Sequence, residues 1–90
     1  MDTEQFTRIS KALADATRME ILQRIAGQKE LACSSLAGEC QVSQPTVSHH
    51  LKELAAAGLI KSRREGKFHF FQLDRKIWTQ YLSEMRRRVG

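Results

Sequence analysis

The sequence predicts a mostly helical α+β fold with one small β-hairpin, in the order α-α-α-α-β-β-α. Three observations carry that expectation. Up to residue 57, apolar residues recur at spacings of three and four, the pattern that lines one side of an α-helix. After Gly58 the pattern changes to two short runs flanking Glu65-Gly66, as in a hairpin. After Asp74 helical spacing returns and continues to the end of the chain. Ninety residues leave room for one hydrophobic core, so residues 1–90 are expected to form a single domain.

Taken in order, Phe6, Ile9 and Leu13 define an amphipathic helix within residues 4–14. Asp15 and Thr17 are both candidate caps of the second helix, and Thr17 with Glu20 has capping-box spacing. Met19, Leu22, Ile25 and Ala26, with Ile21 beside them, form its apolar stripe, and Gly27 stands where a C-cap belongs. A polar link, Gln28 to Glu30, leads to a short helix at 34–40, capped by Ser34 or Ser35, with Leu36, Ala37 and Cys40 inward. Gln41-Val42 is a brief break. Ser43 then caps a fourth helix, and Pro45 lies in its first turn, where a missing N–H is harmless. That helix runs to about Ala57 and stops at Gly58. Leu59 to Arg64 and Lys67 to Leu73 read as strands, the second rich in aromatics. Asp74 caps a last helix with Ile77, Trp78, Tyr81, Leu82 and Met85 along one broad stripe.

Charge narrows the function. Residues 1–60 hold 6 basic and 7 acidic side chains, whereas residues 61–90 hold 9 basic and 3 acidic. The whole net charge of +5 therefore originates in the last third and points to an anionic partner. Residues 1–10 are polar, so no secretory signal is expected, and no segment approaches the roughly 18–20 apolar residues of a membrane span. A cytoplasmic location with no membrane partner is the expectation. Cys33 and Cys40 make no disulfide framework.

Two short helices joined by a tight turn, the second carrying SQPTVSHHLKELAAAGL at 43–59, form a helix-turn-helix pattern. At about 100° per residue, Val47, Leu51 and Leu54 fall within one sector of ~60°, which must face the core. His49 and Lys52 point the opposite way, and Thr46 and Ser48 flank them. With Ser43 at the cap, these small polar groups suit the edges and phosphates of a DNA major groove. The hairpin that follows places Lys61, Arg63, Arg64 and Lys67 around Gly66. Four cations on one ribbon repel each other unless an anion or free solvation relieves them, so the ribbon is expected to reach DNA phosphates or a minor groove.

Residues 13–73 resemble the ArsR/SmtB family of winged helix-turn-helix repressors. The resemblance lies in LADATRMEIL at 13–22, the EL…LA frame at 30–37, SQPTVSHHLKELAAAGLI at 43–60 and RREGKFHFFQL at 63–73. It implies a homodimer that binds a palindromic double-stranded operator and represses until an inducer loosens it. By position it assigns DNA contacts to Gln44, Thr46, Ser48 and His49, with wing contacts from Arg63, Arg64 and Lys67. Ala16 stands where the family often has Pro, and His69 and Phe70 where it often has a β-branched residue and Tyr. His69 thereby puts a titratable group on the inward side of the wing.

The family's familiar inducers are metal ions held by cysteines in an ELCVC pattern. Here the segment reads Glu30-Leu31-Ala32-Cys33-Ser34, and neither Ala32 nor Ser34 replaces a thiolate for a soft metal. Residues 74–90 contain no histidine, and only Asp74 and Glu84 are acidic, so no metal site and no cofactor are expected. If both lie on one helix, Cys33 and Cys40, seven residues apart, stand about 10 Å apart by helical rise, beyond disulfide reach without local unwinding or a partner subunit. They are expected as a half-buried and a core residue respectively. His50 lies on the flank of the core sector and reads as structural. Ser48 beside His49 is no nucleophile–base pair, so an enzyme is not expected.

The stripe of Ile77, Trp78, Tyr81, Leu82 and Met85 is wider than so small a monomer needs, and Phe6 and Ile9 are similarly available. Together they are the expected dimer interface, which would set two recognition helices about 34 Å apart, one turn of DNA. Arg86 to Arg88 are expected in solvent at its edge. The alternative expectation is a winged-helix module that binds protein and selects no DNA sequence.

Overall fold

A computed structural model covers residues 1–90. Its elements are α1 (Thr3–Ala12), α2 (Ala16–Ala26), β1 (Leu31–Ala32), α3 (Cys33–Cys40), α4 (Gln44–Ala56), β2 (Ile60–Glu65), β3 (Phe68–Leu73) and α5 (Arg75–Val89). The expected order holds with one addition, the two-residue β1. It pairs antiparallel with β3, Leu31 opposite Phe71, so the hairpin becomes a three-stranded sheet ordered β1-β3-β2. Two residues are too few to show an alternating pattern, and the pairing covers an edge of β3 that would otherwise stay open.

The caps explain where the helices begin. Asp2, Asp15, Ser43 and Asp74 each accept a backbone N–H three residues ahead. Asp15, not Thr17, caps α2; Thr17 lies inside the first turn, so the capping-box expectation fails. α3 starts one residue before the expected Ser34, without a side-chain cap, because pairing of β1 already orients Ala32. Both helix-turn-helix ends close by the same device. Gln41 (φ 55°) and Gly58 (φ 84°) adopt the left-handed conformation. Val42 N–H then reaches the Ala37 carbonyl and Leu59 N–H the Leu54 carbonyl. Gly66 (φ 60°) is the first of the two hairpin turn residues, a place that favours glycine.

One core joins all five helices to the sheet. Ile9, Ile21, Ile25, Leu36, Val47, Leu54 and Leu59 are fully enclosed in it. Cys40 is buried there and Cys33 half-buried, as expected. Burial pushes the Cys40 thiol up, away from the reactive thiolate.

Two of the seven expected interface residues belong to this core instead. Ile9 is 0% and Tyr81 5% exposed. Tyr81 stacks on Phe6 at 5.2 Å and shares a 2.8 Å hydrogen bond with Ser10, tying α5 to α1 within the protomer. The outward stripe of α5 is Trp78, Leu82, Met85 and Val89, at spacings of four, three and four; Leu82 is 48% and Val89 80% exposed. Trp78 and Met85 within it are half-buried, as are Phe6 and Ile77 at its margins.

The terminal arginines are exposed, as expected, but two of them also have partners on the chain. Arg87 and Arg88 both pair with the buried Glu84, and Arg88 lies over the Phe6 ring at 4.4 Å and donates to Thr3. The Arg87 guanidinium, with Arg88, holds the Glu84 carboxyl down at about 2, against an ordinary 4.5. A depressed folded value means this stabilisation is complete above pH 4.5 and is lost as pH falls toward 2. Glu84→Gln should therefore flatten the acid arm of the stability curve across that window, followed by circular dichroism. An arm as steep as the parent's would refute the pairing.

Candidate nucleic-acid interface

α4 offers its polar groups because its other side is occupied. Val47, Leu51 and Leu54 are buried, and Ser43, Gln44, Ser48, His49 and Lys52 are exposed. Some of these groups have local duties. The Ser43 hydroxyl caps the Thr46 N–H at 3.3 Å and bonds the Thr46 hydroxyl at 2.8 Å. The Gln44 amide donates to the Cys33 sulfur at 3.2 Å, so its side chain leans on α3. Ser48, His49 and Lys52 make no side-chain hydrogen bond to the rest of the chain, which leaves their donors and acceptors free.

The β2–β3 register divides the four hairpin cations. Ile60, Ser62 and Arg64 face the same way, opposite Leu73, Phe71 and His69. Arg64 thus shares an open cleft of about 340 Å³ with Ser48 and Lys52 of α4, walled by Cys33, Phe71 and His69. His69 does lie on this inward side, with its ring 4.4 Å from Phe71. Lys67 sits at the hairpin tip near the exposed Phe68 ring.

Lys61 and Arg63 lie on the other sheet face. Arg63 crosses the Phe70 ring at 4.7 Å and grips Glu30 with two hydrogen bonds, 2.9 and 2.7 Å, while also pairing with Glu65. This arginine straps the three strands together. Its guanidinium holds the Glu30 carboxyl below the usual carboxylate range. Lys61 borders a separate hollow with Lys29, Arg75 and Lys76 at the base of the wing. So the structure gathers Ser48, Lys52 and Arg64 around one cleft, leaves His49 exposed on α4 and Lys67 at the hairpin tip, and turns Lys61 and Arg63 to the other sheet face.

Sequence reasoning missed Glu30, the partner that removes Arg63, and Val89, which extends the outward stripe of α5. A separation of 33 residues hides the first. The second was legible as the continuation of a spacing of four, three and four. No three His, Cys, Asp or Glu side chains converge on a common point within the protomer. No helix is long and apolar enough to cross a membrane.

A helix-turn-helix followed by a hairpin wing, both presenting polar groups on one face, defines a winged helix-turn-helix domain. A family model described as a helix-turn-helix domain matches residues 13–63. The chain is 38% identical over 85 residues to the arsenical resistance operon repressor of Staphylococcus aureus, covering 94% of this chain and 81% of the relative. An ArsR-like transcriptional regulator from Rhodococcus sp. RHA1 superposes with a TM-score of 0.84 at 27% identity, covering 93% of this chain and 78% of the other. The homodimeric winged helix-turn-helix DNA-binding domain of a possible ArsR-family regulator from Mycobacterium bovis gives 0.78 at 28% identity, covering 91% and 76%. The chain belongs to the ArsR/SmtB family of transcriptional regulators, which are not enzymes.

The Arg63 strap makes a direct prediction. Glu30→Gln or Arg63→Ala should raise amide hydrogen exchange in β2 and β3 by roughly two- to fivefold, as expected for loss of a well-formed surface network. Exchange at the parent rate in both variants would show that the strap adds nothing.

Proposed function

We propose that this protein is a homodimeric transcriptional repressor that binds a palindromic double-stranded operator. The carrying observation is the shared exposed face on which Ser48 and Lys52 of α4 meet Arg64 of the wing. In this reading Ser48, His49 and Lys52 face base edges, and the hydroxyls of Ser43 and Thr46 and the Gln44 amide lie at the helix N-terminus near a phosphate. Arg64 and Lys67 neutralise phosphates or enter the flanking minor groove. Arg63 and Lys61 serve the wing's own structure and long-range attraction. Such a protein works in the cytoplasm, where the operator is.

The dimer seam is Trp78, Leu82, Met85 and Val89 of α5, with Phe6 and Ile77 at its margins. Support comes from the exposure of Leu82 and Val89 in the protomer and from the homodimeric relative. Inducer release does not use the arsenical-type cysteine position, because Ala32 and Ser34 flank Cys33 and bring no thiolate. The test is selection of duplexes from a random pool, followed by competition with random DNA. A palindrome that survives excess competitor supports the reading; no duplex preference at all would leave a protein-binding module in its place.

Two variants separate the roles. Arg64→Ala should weaken binding to every duplex and reduce the salt slope by about 1, whereas His49→Ala should change the ranking of sequences by about tenfold at the contacted positions. Uniform losses in both would reject the division between wing and helix. For the seam, Leu82→Asp should give monomer in sedimentation with native circular dichroism, because Leu82 packs on nothing essential to the protomer. A dimer of parental affinity would place the interface elsewhere.

A further inference from the structure

The core side of α4 carries one polar contact that DNA reading does not use. His50 is 7% exposed, in line with Leu54 and Val47. Arg18, in the first turn of α2, donates its Nε–H to His50 Nδ1 at 3.2 Å and an Nη1–H to the Ala12 carbonyl at 3.3 Å. A neutral imidazole that accepts at Nδ1 carries its proton at Nε2, and Nε2 stands 4.0 Å from Asp15 Oδ1. The same Asp15 oxygen caps α2 by accepting from Arg18 N at 2.9 Å. A single guanidinium thus joins the end of α1, the start of α2 and the middle of α4.

We propose that the Arg18–His50 clasp is the positioning element that holds α4 at a fixed angle to α1, and that it opens when His50 takes up a proton. The inference rests on α4 as the reading helix and α1–α5 as the dimer helices. Its regulatory consequence is an operator affinity that falls in mild acid.

The charges around His50 set the direction. On α2 it faces Asp15 and Arg18, and on α4 it has His49 and Glu53 as neighbours. On α1, Arg8 and Lys11 border the cleft that Arg18 and Glu53 share. A proton on Nδ1 removes the acceptor and sets an imidazolium against the guanidinium; Asp15, 4.0 Å from Nε2, offsets that repulsion, so the cost of charging a buried ring is what opposes protonation. Burial, with help from Arg18 and His49, holds the His50 value below the ordinary 6.5, against Asp15 and Glu53. The folded, clasped state therefore binds protons less readily than the open state. Its stabilisation is complete above pH 6.5 and declines as pH falls toward the lowered folded value.

The experiment uses the full chain and a duplex chosen by selection, at constant ionic strength. Between about pH 7.5 and 5.5, the parent should lose affinity for the selected duplex by up to about tenfold per protomer, the ceiling for a histidine that titrates at its ordinary value once the clasp opens. His50→Asn should keep near-parental affinity at the higher pH, because its Oδ1 can stand close to where Nδ1 accepts from Arg18, and its profile should lose that fall. Arg18→Met should bind weakly at both values. Imidazole 15N shifts of the DNA-free protein should show the Nε2–H tautomer for His50, titrating below the ordinary histidine range. A parent that selects a duplex with pH-independent affinity, or a His50→Asn profile as steep as the parent's, overturns the clasp alone. A parent that selects no duplex at the higher pH overturns the DNA-reading proposal, and this one with it. If Arg18→Met does not fold, the parent and His50→Asn still decide the matter.

Discussion

The exposed face of α4 exists because Val47, Leu51 and Leu54 are buried on the other side. Burying side chains of this size contributes about 1.5–3 kcal/mol each, more than any single polar contact on the helix, so no rotation of α4 competes with this one. Ser48, His49 and Lys52 are presented outward as a consequence. The same constraint reaches the wing. The turn at Gly58 returns Leu59 N–H to the Leu54 carbonyl, and Leu59 and Ile60 enter the core directly after it. With Ile60 held inward, strand alternation places Ser62 and Arg64 on the side of α4.

Alternation also explains why a count of cations misleads. Residues 61–67 hold four cations and one acid, yet only Arg64 joins the cleft beside α4. A slip of one residue in the β2–β3 register would exchange Arg64 for Arg63 and unseat Ile60 from the core. Pairing of Arg63 with Glu30 and Glu65 opposes that slip from the other face. The wing therefore uses one arginine to hold the sheet and leaves its neighbour in the cleft beside α4.

Much of the fold was legible because its signals are local. Asp15, Ser43 and Asp74 act within three residues of themselves, and Gly58 and Gly66 occupy backbone conformations that glycine accepts readily. The face of α4 and the burial of Cys40 followed from periodicity; His50 read only as a flank residue of the core sector, and the inward side for His69 came from the family resemblance. What escaped depends on partners remote in sequence. β1 exists only because β3 lies beside it, and Arg63 turns away only because Glu30, 33 residues earlier, reaches it. On α5 the apolar stripe was legible but not its division: Tyr81 faces α1 while Leu82 faces out, and nothing local distinguishes the two. Packing of α1 against α5 decides it, through the Tyr81 bond to Ser10 and the Phe6 ring.

That packing has a consequence for how a dimer would couple to DNA. Phe6, Ser10 and Thr3 of α1 are tied to Tyr81 and Arg88 of α5 before any second protomer arrives, so the outward stripe of α5 is presented by a preformed helix pair. The ordering entropy of that pair is spent in folding, which leaves more of the apolar burial at the seam to drive association. α1 in turn is tied to α4 at its end and in its middle. Arg8 donates to the Ala56 carbonyl at the end of α4, and the Ala12 carbonyl shares Arg18 with His50 in its middle. In the proposed dimer, an α1 anchored at two points along α4 would transmit a change of dimer geometry to both copies of α4. An operator with two half-sites rewards only one spacing, so under the proposed function small rotations at the seam would be enough to regulate binding.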